Sequence, residues 1–331
     1  MPGPDLTLWA VHISDGVLTE AWWVGGFVAA GVLALVGAWR IQEEQIAQTA
    51  LLTAAFFVAS LVHVRVGPTS VHLLLNGLVG VVLGRRAALA IPVGLAMQAA
   101  LLGHGGFSTV GVNSCVMVLP ALLAWWLFAG LHRLPWLRRP WFRAALVAVS
   151  TLAWTLSLVY SIALLVTNGL SRQELDTSWA NRLTFHPATL ALAGLLAGLA
   201  AWLERRLENA PEFPLGLLVG EVTVLATLAL NCLVLLWGSE EKEAWRPLAL
   251  LVFVAHLPIA AVEGIVLGFT VGFVARVKPQ LLGWKAPPLD LPPDALAPAP
   301  LARPSANGHI QPAERPSPVT EEPPCSADPL P

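Results

Sequence analysis

The spacing of apolar blocks along this chain is the feature that most restricts its fold. Blocks of about 16 to 28 residues with few charges follow one another, a length that matches the roughly 30 Å hydrocarbon core of a bilayer. The pattern predicts an all-α integral membrane protein, a polytopic helical bundle of about seven to nine transmembrane helices. The candidate segments run roughly 22–39, 46–63, 71–84, 87–103, 114–132, 143–168, 186–203, 215–237 and 248–275.

The composition supports the same class of protein. Hydrophobic residues make up 56% of the chain and charged residues 12%, with a mean hydropathy of +0.68, whereas soluble domains carry about 25% charged residues. The net charge of -2 and the absence of a basic patch give no case for nucleic-acid binding. Cys115, Cys232 and Cys325 have no pair spacing typical of zinc or redox sites, so we interpret them as packing residues.

The third block, 71–84, is short for a full crossing of the bilayer. It either crosses or pairs with 87–103 as a re-entrant or broken hairpin, which is tolerated only where the backbone is buried in protein. In both cases the predicted orientation of the later helices is the same.

Lys and Arg residues at the block ends predict the orientation, because cytoplasmic loops retain an excess of positive charge. With the N-terminus outside and the C-terminus inside, eleven basic residues fall inside and five outside. The inner set is Arg40, Arg85, Arg86, Arg133, Arg138, Arg139, Arg143, Arg205, Arg206, Arg276 and Lys278, and the outer set is Arg65, Arg172, Arg182, Lys242 and Arg246. Residues 279–331 are rich in proline and predict a disordered cytoplasmic tail.

Four histidines, His12, His63, His72 and His104, lie at or near outer-side loops in this orientation. Imidazole is a good ligand for zinc, copper, iron and nickel, and four nitrogen donors in a plane suit Ni(II) or Cu(II). The alternative for each histidine is an interfacial ring hydrogen-bonded to backbone.

Five short motifs occur in order along the chain: V-H-I-S-D-G at 11–16, V-G-P-T-S-V-H at 66–72, L-N-G at 75–77, L-G-H-G-G-F-S-T-V-G-V-N at 102–113 and H-L-P-I-A-A-V-E-G at 256–264. This ordered set resembles the CbiM/NikM family. The resemblance implies a substrate-specificity component of an energy-coupling-factor importer for Co(II) or Ni(II), multi-pass in the bacterial plasma (inner) membrane. It also implies partners: a transmembrane coupling subunit, ATPase subunits and often a small accessory membrane protein.

The resemblance also implies a ligand set. Family members begin with Met-His, and the metal is held by the α-amino group, by the amide nitrogen and imidazole of that histidine, and by a further histidine from an outer loop. Carried over, the metal ligands are His12 and His72, with His63 as a further ligand or supporting residue. Asp15 is expected to hold His12 in its ligating tautomer or to cap a helix that starts near residue 17.

The other supporting positions are Val11, His104 and Asn113. His104 and Asn113 belong to the glycine-containing loop that, by resemblance, folds over the metal.

This chain departs from the family pattern in two places. His12 is preceded by eleven residues rather than one, so translation is expected to start at Val11, through a GTG codon read as methionine; otherwise the extension 1–10 is real and is clipped or displaced. The membrane-embedded domain is then 11–278, and 143–204 reads as an extra helix pair beyond the family's seven helices.

Several polar residues lie inside apolar blocks, where they are costly and usually functional. His256, Glu263 and Glu221 are candidates for functional or partner contacts, while Asn76 and Gln98 are expected to form interhelical hydrogen bonds.

The chain contains no G-x-x-x-x-G-K-[ST] motif, so ATP hydrolysis would have to come from other subunits, and the chain itself is expected not to be an enzyme. A stand-alone secondary transporter or channel for a divalent cation is the main alternative, but only Glu221 and Glu263 offer acidic groups for its path. An intramembrane Ser-His hydrolase is a further alternative, and G-F-S-T near 108 lacks the G-x-S-x-G arrangement. Cobalt, for cobalamin synthesis, and nickel, for nickel enzymes, are both compatible with a nitrogen-rich site.

Overall fold

The computed structural model describes residues 12–61, 63–66, 69–168, 177–206, 212–239 and 242–283, apart from some side chains within these ranges, among them those of 63–70 and 242–248. Ten α-helices and one two-stranded hairpin are present in these ranges. The helices are α1 (Glu20–Ala38), α2 (Glu43–Ala59), α3 (Asn76–Leu83), α4 (Ala87–Leu102), α5 (Val110–Leu131), α6 (Pro140–Asn168), α7 (Ser178–Thr184), α8 (Pro187–Arg206), α9 (Phe213–Gly238) and α10 (Lys242–Val277). The strands are β1 (His63–Val66) and β2 (Thr69–His72), paired antiparallel with His63 opposite His72.

The predicted fold class, an all-α polytopic membrane protein, is confirmed. Seven segments within the described residues are long and apolar enough to cross a membrane. They are Glu20–Ala38, Asn76–Leu102, Val110–Leu131, Pro140–Leu164, Pro187–Arg206, Phe213–Gly238 and Val252–Val277. The 17-residue α2 is shorter, at about 25 Å.

The segment Asn76–Leu102 does not run straight across the bundle. A continuous helix of 27 residues would separate its ends by about 40 Å. Yet the rings of His72 and His104, just beyond those ends, have centroids 5.3 Å apart. The chain therefore reverses at the 3₁₀ turn Gly84–Arg86, where Gly84 has a φ of 58°. Both sequence-based alternatives for 71–103, two crossing segments and a re-entrant or broken hairpin, place its two ends on the same side, and they are found on the same side here.

The basic turn of this hairpin lies at the end of the bundle opposite His12. Arg85 Nη1 donates to the Val36 carbonyl at 3.1 Å, near the end of α1, and Arg86 Nη1 donates to the Gln45 carbonyl at 3.2 Å, near the start of α2. His12 precedes α1 and so lies at the other end. Which end faces the cytoplasm stays a prediction from the positive charges.

The core around the hairpin is a set of buried apolar side chains from six helices and from the loop before α3, which we call the central apolar cluster. Its members include Leu74, Leu95 of α4, Met117 of α5, Leu228 of α9 and Ala260 of α10. The cluster buries the hairpin Asn76–Leu102 within the bundle.

Glycines bring α9 and α10 into backbone contact. A Cβ on Gly216 would lie 2.7 Å from the Gly268 Cα, and a Cβ on Gly220 would lie 2.7 Å from the Gly264 Cα. Small residues allow such close helix packing in membranes. This contact fixes α10, which carries His256 and Glu263.

The helices α6 and α8, predicted as an extra pair, pack against each other and are joined by a buried ion pair. Arg143 Nε donates to Glu204 Oε1 at 2.9 Å, and both side chains are about nine-tenths buried. Breaking a buried pair by removing one partner leaves an uncompensated charge, so the two helices are firmly linked at this end.

Three element bounds differ from the limits of the apolar blocks and segments read from the sequence. Helix α1 begins at Glu20 rather than near residue 17, because His12, Ile13, Val17 and Leu18 pack into the bundle instead. Helix α10 already begins at Lys242, before the apolar block near 248. Pro279–Leu282 forms a 3₁₀ turn whose Leu282 packs against a buried cluster containing Leu267 and Val271. The rest of the predicted tail, from residue 284, lies outside the described residues.

Candidate metal centre

The segment before α1 is held against the start of α5. Ile13 N donates to Asn113 Oδ1 at 2.9 Å, and Asn113 Nδ2 donates back to the Ile13 carbonyl at 3.0 Å. Thr109 Oγ1 donates to the same carbonyl at 2.6 Å. His12 is thereby fixed with only 2% of its surface exposed.

The loop between α4 and α5 closes over this segment. The Asp15 carboxylate accepts hydrogen bonds from Phe107 N at 3.0 Å, from Ser108 N at 2.8 Å and from the Ser108 hydroxyl. The loop requires glycine at position 105, because a Cβ there would lie 3.3 Å from the His12 Cβ and because Gly105 has a φ of 75°. Asp15 therefore joins the loop to the N-terminal segment.

Three imidazoles meet where these segments converge with the end of β2. The ring centroids of His12 and His72 are 5.1 Å apart, those of His12 and His104 are 5.1 Å apart, and those of His72 and His104 are 5.3 Å apart. Each ring offers one nitrogen, and these nitrogens all lie within 4.8 Å of one another. Two nitrogens facing each other across an ion are about 4 Å apart, since metal–nitrogen bonds are about 2.0–2.1 Å long. Small ring rotations would therefore bring all three onto one ion.

The hydrogen bond of His72 identifies its ligating nitrogen. Nδ1 lies 2.9 Å from the Leu73 carbonyl oxygen, which can only accept, so Nδ1 carries the proton. Nε2 then holds the lone pair, which is the usual arrangement of metal-binding histidines.

Glu263 of α10 anchors the chain that follows His72. Its buried carboxylate accepts hydrogen bonds from Leu74 N and from Leu75 N, the latter at 2.9 Å to Oε1 and 3.0 Å to Oε2. Leu75 has a φ of 49°, an uncommon conformation for a residue with a side chain. Asn76 Nδ2 donates to Thr227 Oγ1 at 2.8 Å, which ties the start of α3 to α9. The loop therefore presents His72 from a rigid support.

Two of the three predicted ligands, His12 and His72, are brought together, and His104 joins them more closely than the sequence suggested. His63 pairs through its backbone with His72, but its side chain and all of Val11 lie outside the described residues. No observation tests ligation itself, so all of these ligand assignments stay predictions.

Two expectations about supporting residues were wrong. Asp15 neither caps α1 nor contacts His12, because its oxygens bind the backbone of 107 and 108. Asn113 lies in the first turn of α5 rather than in a loop, which is why its amide can pair with Ile13. Asn76 does form the interhelical bond expected of it, whereas neither side-chain polar atom of Gln98 finds a partner among the described residues.

Burial and neighbouring charges lower the pKa of His12 well below its ordinary value. Burial is the larger cause, followed by the charges of His72, His104 and His256. A neutral ring is the form that binds a metal, so the site keeps its ligand at a pH where an exposed histidine would be protonated.

We expect the metal-free protein to lose stability as the pH falls from about 7 to about 5. The unfolded chain protonates His12 near pH 6.5, whereas the folded chain does so only at lower pH, so stability rises with pH across this interval. His12→Phe, which removes the titrating group, should reduce the slope of the unfolding temperature against pH measured in detergent. Equal slopes for the two proteins would contradict this assignment.

The fold and the cluster define a class: a polytopic helical membrane protein with a buried imidazole site at one end of its bundle. The chain belongs to the CbiM family, whose model is described as the cobalt uptake substrate-specific transmembrane region and matches residues 12–201 and 183–281. The family resemblance predicted from the motifs is thereby confirmed.

Two sequence relatives agree with this membership. A Haemophilus influenzae protein whose name assigns it to metal transport is 44% identical over 118 residues, which cover 36% of this chain and 57% of that protein. The CbiM 1 protein of Methanocorpusculum labreanum is 30% identical over 282 residues, 82% of this chain and 92% of its own length. The structure can also be superposed on that of a solved transition metal transporter. The aligned region covers 80% of this chain and 93% of that chain, with 18% sequence identity and a TM-score of 0.44.

Proposed function

We propose that this chain is the metal-capturing membrane subunit of an ATP-driven importer for Co(II) or Ni(II). The observation that carries the proposal is the convergence of three imidazoles, with nitrogens within 4.8 Å, in a chain of the CbiM family. Borderline divalent cations favour imidazole nitrogen, whereas Mg²⁺ and Ca²⁺ favour oxygen. The burial of the cluster excludes most water, and this strengthens binding to the ion.

The remaining donors are proposed to come from the chain end beside His12. An α-amine has a pKa near 8, so it loses its proton at modest cost when it binds a divalent cation. The adjacent amide nitrogen loses its proton only when it binds a strongly polarising ion. This donor set requires a chain that begins at position 11. His12 is proposed as the terminal ligand, His72 as the second imidazole through Nε2, and His104 and His63 as further contributors.

The partners in this proposal are a transmembrane coupling subunit, ATPase subunits and a small accessory membrane protein, in the bacterial inner membrane. The alternative, a stand-alone cation transporter, needs acidic groups available to exchange protons along a path. Glu263 is instead engaged by two backbone N–H groups, and Glu221 accepts a hydrogen bond from Ser150. These contacts support the subunit role over the stand-alone one.

Uptake in cells that lack their own cobalt and nickel importers tests this proposal. We expect radiolabelled Co(II) or Ni(II) to accumulate only when this chain is produced together with its coupling and ATPase subunits, since the chain has no phosphate-binding motif of its own. Undiminished accumulation with an ATPase subunit that cannot hydrolyse ATP would contradict the proposal.

A second arm of the same assay addresses the chain end. A coding region that begins with methionine at position 11 should support uptake at least as well as the full reading frame, because it places the amine beside His12.

A further inference from the structure

Four polar side chains in the centre of the bundle lack the hydrogen bonds that burial normally requires. Gln98, Ser114, Asn231 and His256 are each 1% exposed or less. Within the described part of the chain, no partner exists for Gln98 Nε2 and Oε1, Ser114 Oγ, Asn231 Oδ1 or His256 Nε2. Buried polar atoms are almost always paired, so such a group calls for an explanation.

These four side chains form one layer, which we call the inner polar layer. Each lies three or four residues, about one helical turn, from a member of the central apolar cluster on its own helix. The pairs are Gln98 with Leu95, Ser114 with Met117, Asn231 with Leu228 and His256 with Ala260.

The helix directions place the whole layer on the side of the imidazoles. Helices α4 and α9 run toward the imidazole end, since α4 leads into His104 and the residue after α9, Ser239, pairs with Leu18. Gln98 and Asn231 come after their apolar neighbours, toward that end. Helices α5 and α10 run the opposite way, so Ser114 and His256 come before theirs. The inner polar layer therefore lies between the central apolar cluster and the three imidazoles.

His256 has a ring nitrogen that is available to bind a cation. Its Nδ1 lies 2.7 Å from the Val252 carbonyl oxygen, which can only accept, so Nδ1 carries the proton and Nε2 carries an unshared electron pair. That pair has no donor to accept from among the described residues.

We propose that the inner polar layer is a second metal position, to which the ion steps from the cluster of His12, His72 and His104. The donors would be His256 Nε2 with Gln98 Oε1, Asn231 Oδ1 and Ser114 Oγ, a mixed nitrogen and oxygen set suited to Co(II) or Ni(II). One ion uses the two positions in turn, because two divalent cations this close in a weakly polar interior would repel strongly. This inference rests on the proposed function, since it takes the same ion as its ligand.

Binding of Co(II) alone to the purified full chain in detergent tests the inner position. Four proteins are compared: the natural chain, His12→Ala, His256→Ala and the double variant. We expect His12→Ala to keep weak binding and the double variant to bind at least about 10-fold more weakly still, as loss of a metal contact costs 10-fold or more. X-ray absorption should show fewer imidazole nitrogens around Co(II) in His12→Ala, together with oxygen ligands. The exposed His186 provides a matched control, and His186→Ala should bind as the natural chain does.

Import adds a readout that a purely structural role would not change in this way. His256→Ala, or the similarly sized His256→Gln if the alanine variant does not reach the membrane, should keep first-step binding within about threefold while import falls at least about 10-fold.

The outcomes separate the two proposals. Equal Co(II) binding by His12→Ala and the double variant would overturn the inner position and leave the layer filled by water only. If His12→Ala binds Co(II) as tightly as the natural chain does, the proposed site at His12, His72 and His104 is overturned and the inner position is retained. Failure of all four proteins to bind Co(II) would overturn both.

Discussion

His72→Ala is expected to lower the affinity for Co(II) and Ni(II) by more than about 100-fold, because substitutions merely beside a metal ligand already cost 10-fold to 100-fold. His72 supplies Nε2 from a loop held rigidly by Glu263, and its ring is 2% exposed. Neither His12 nor His104 can move into its place, since each is fixed on its own segment. The measurement is metal binding by the purified chain, followed by uptake in cells with the partner subunits.

The control for this variant is His186→Ala, which removes an exposed imidazole elsewhere and should change neither binding nor uptake. Quantification of the protein in membranes distinguishes a lost ligand from lost protein. If His72→Ala, present at the natural level, still imports metal at the natural rate, the proposed site is wrong.

Gly106→Ala is expected to weaken metal capture by a different route. An added Cβ would lie 2.2 Å from Asp15 Oδ1 and 2.4 Å from the Asp15 backbone nitrogen. The carboxylate can rotate away, but the backbone nitrogen cannot, so the loop must lift off the N-terminal segment. Overpacking of this kind costs about 1–3 kcal/mol. Because the loop's Thr109 holds Ile13 next to His12, metal affinity should fall at least about 10-fold.

Gly130→Ala is the matched control, since a Cβ there has nothing within 4 Å and the residue lies in regular helix. It should leave unfolding temperature and metal binding unchanged or slightly improved. Both quantities are measured on the same detergent preparations. Natural metal affinity in Gly106→Ala would show that closure of this loop is not needed for capture.

The way in which the segments carrying His12, His72 and His104 meet was only partly readable from the sequence. The motif at 11–16 and the histidine at 72 carry the family resemblance, so His12 and His72 could be named together. His104 was assigned a supporting role, because its position relative to a possible ion depends on how far the loop folds inward. Two left-handed glycines, Gly103 and Gly105, flank His104 and turn its ring toward the other two. The G-H-G-G run was the available signal, and it specifies a flexible turn without its direction.

The backbone contacts of Glu263, and the lack of a partner for His256 Nε2 among the described residues, were beyond sequence reasoning for a related reason. Both were recognisable as costly polar residues in an apolar helix, which marks them as functional without naming a partner. Glu263 binds backbone groups 188 and 189 residues away in the chain. No periodic pattern encodes a contact of that range.

The sequence by itself determined the class of protein. Each spanning helix must match the thickness and the apolar character of the bilayer, and its length and apolar composition are local properties of the sequence. It also determined that the two ends of 71–103 lie on the same side, and it determined the family, through motifs that are local as well. Only the tertiary structure decided that this segment reverses at Gly84, that three imidazoles converge, and that four polar side chains with atoms lacking partners among the described residues form a layer beneath them. These features depend on which faces of separate helices meet, and that choice is made by packing among many helices at once.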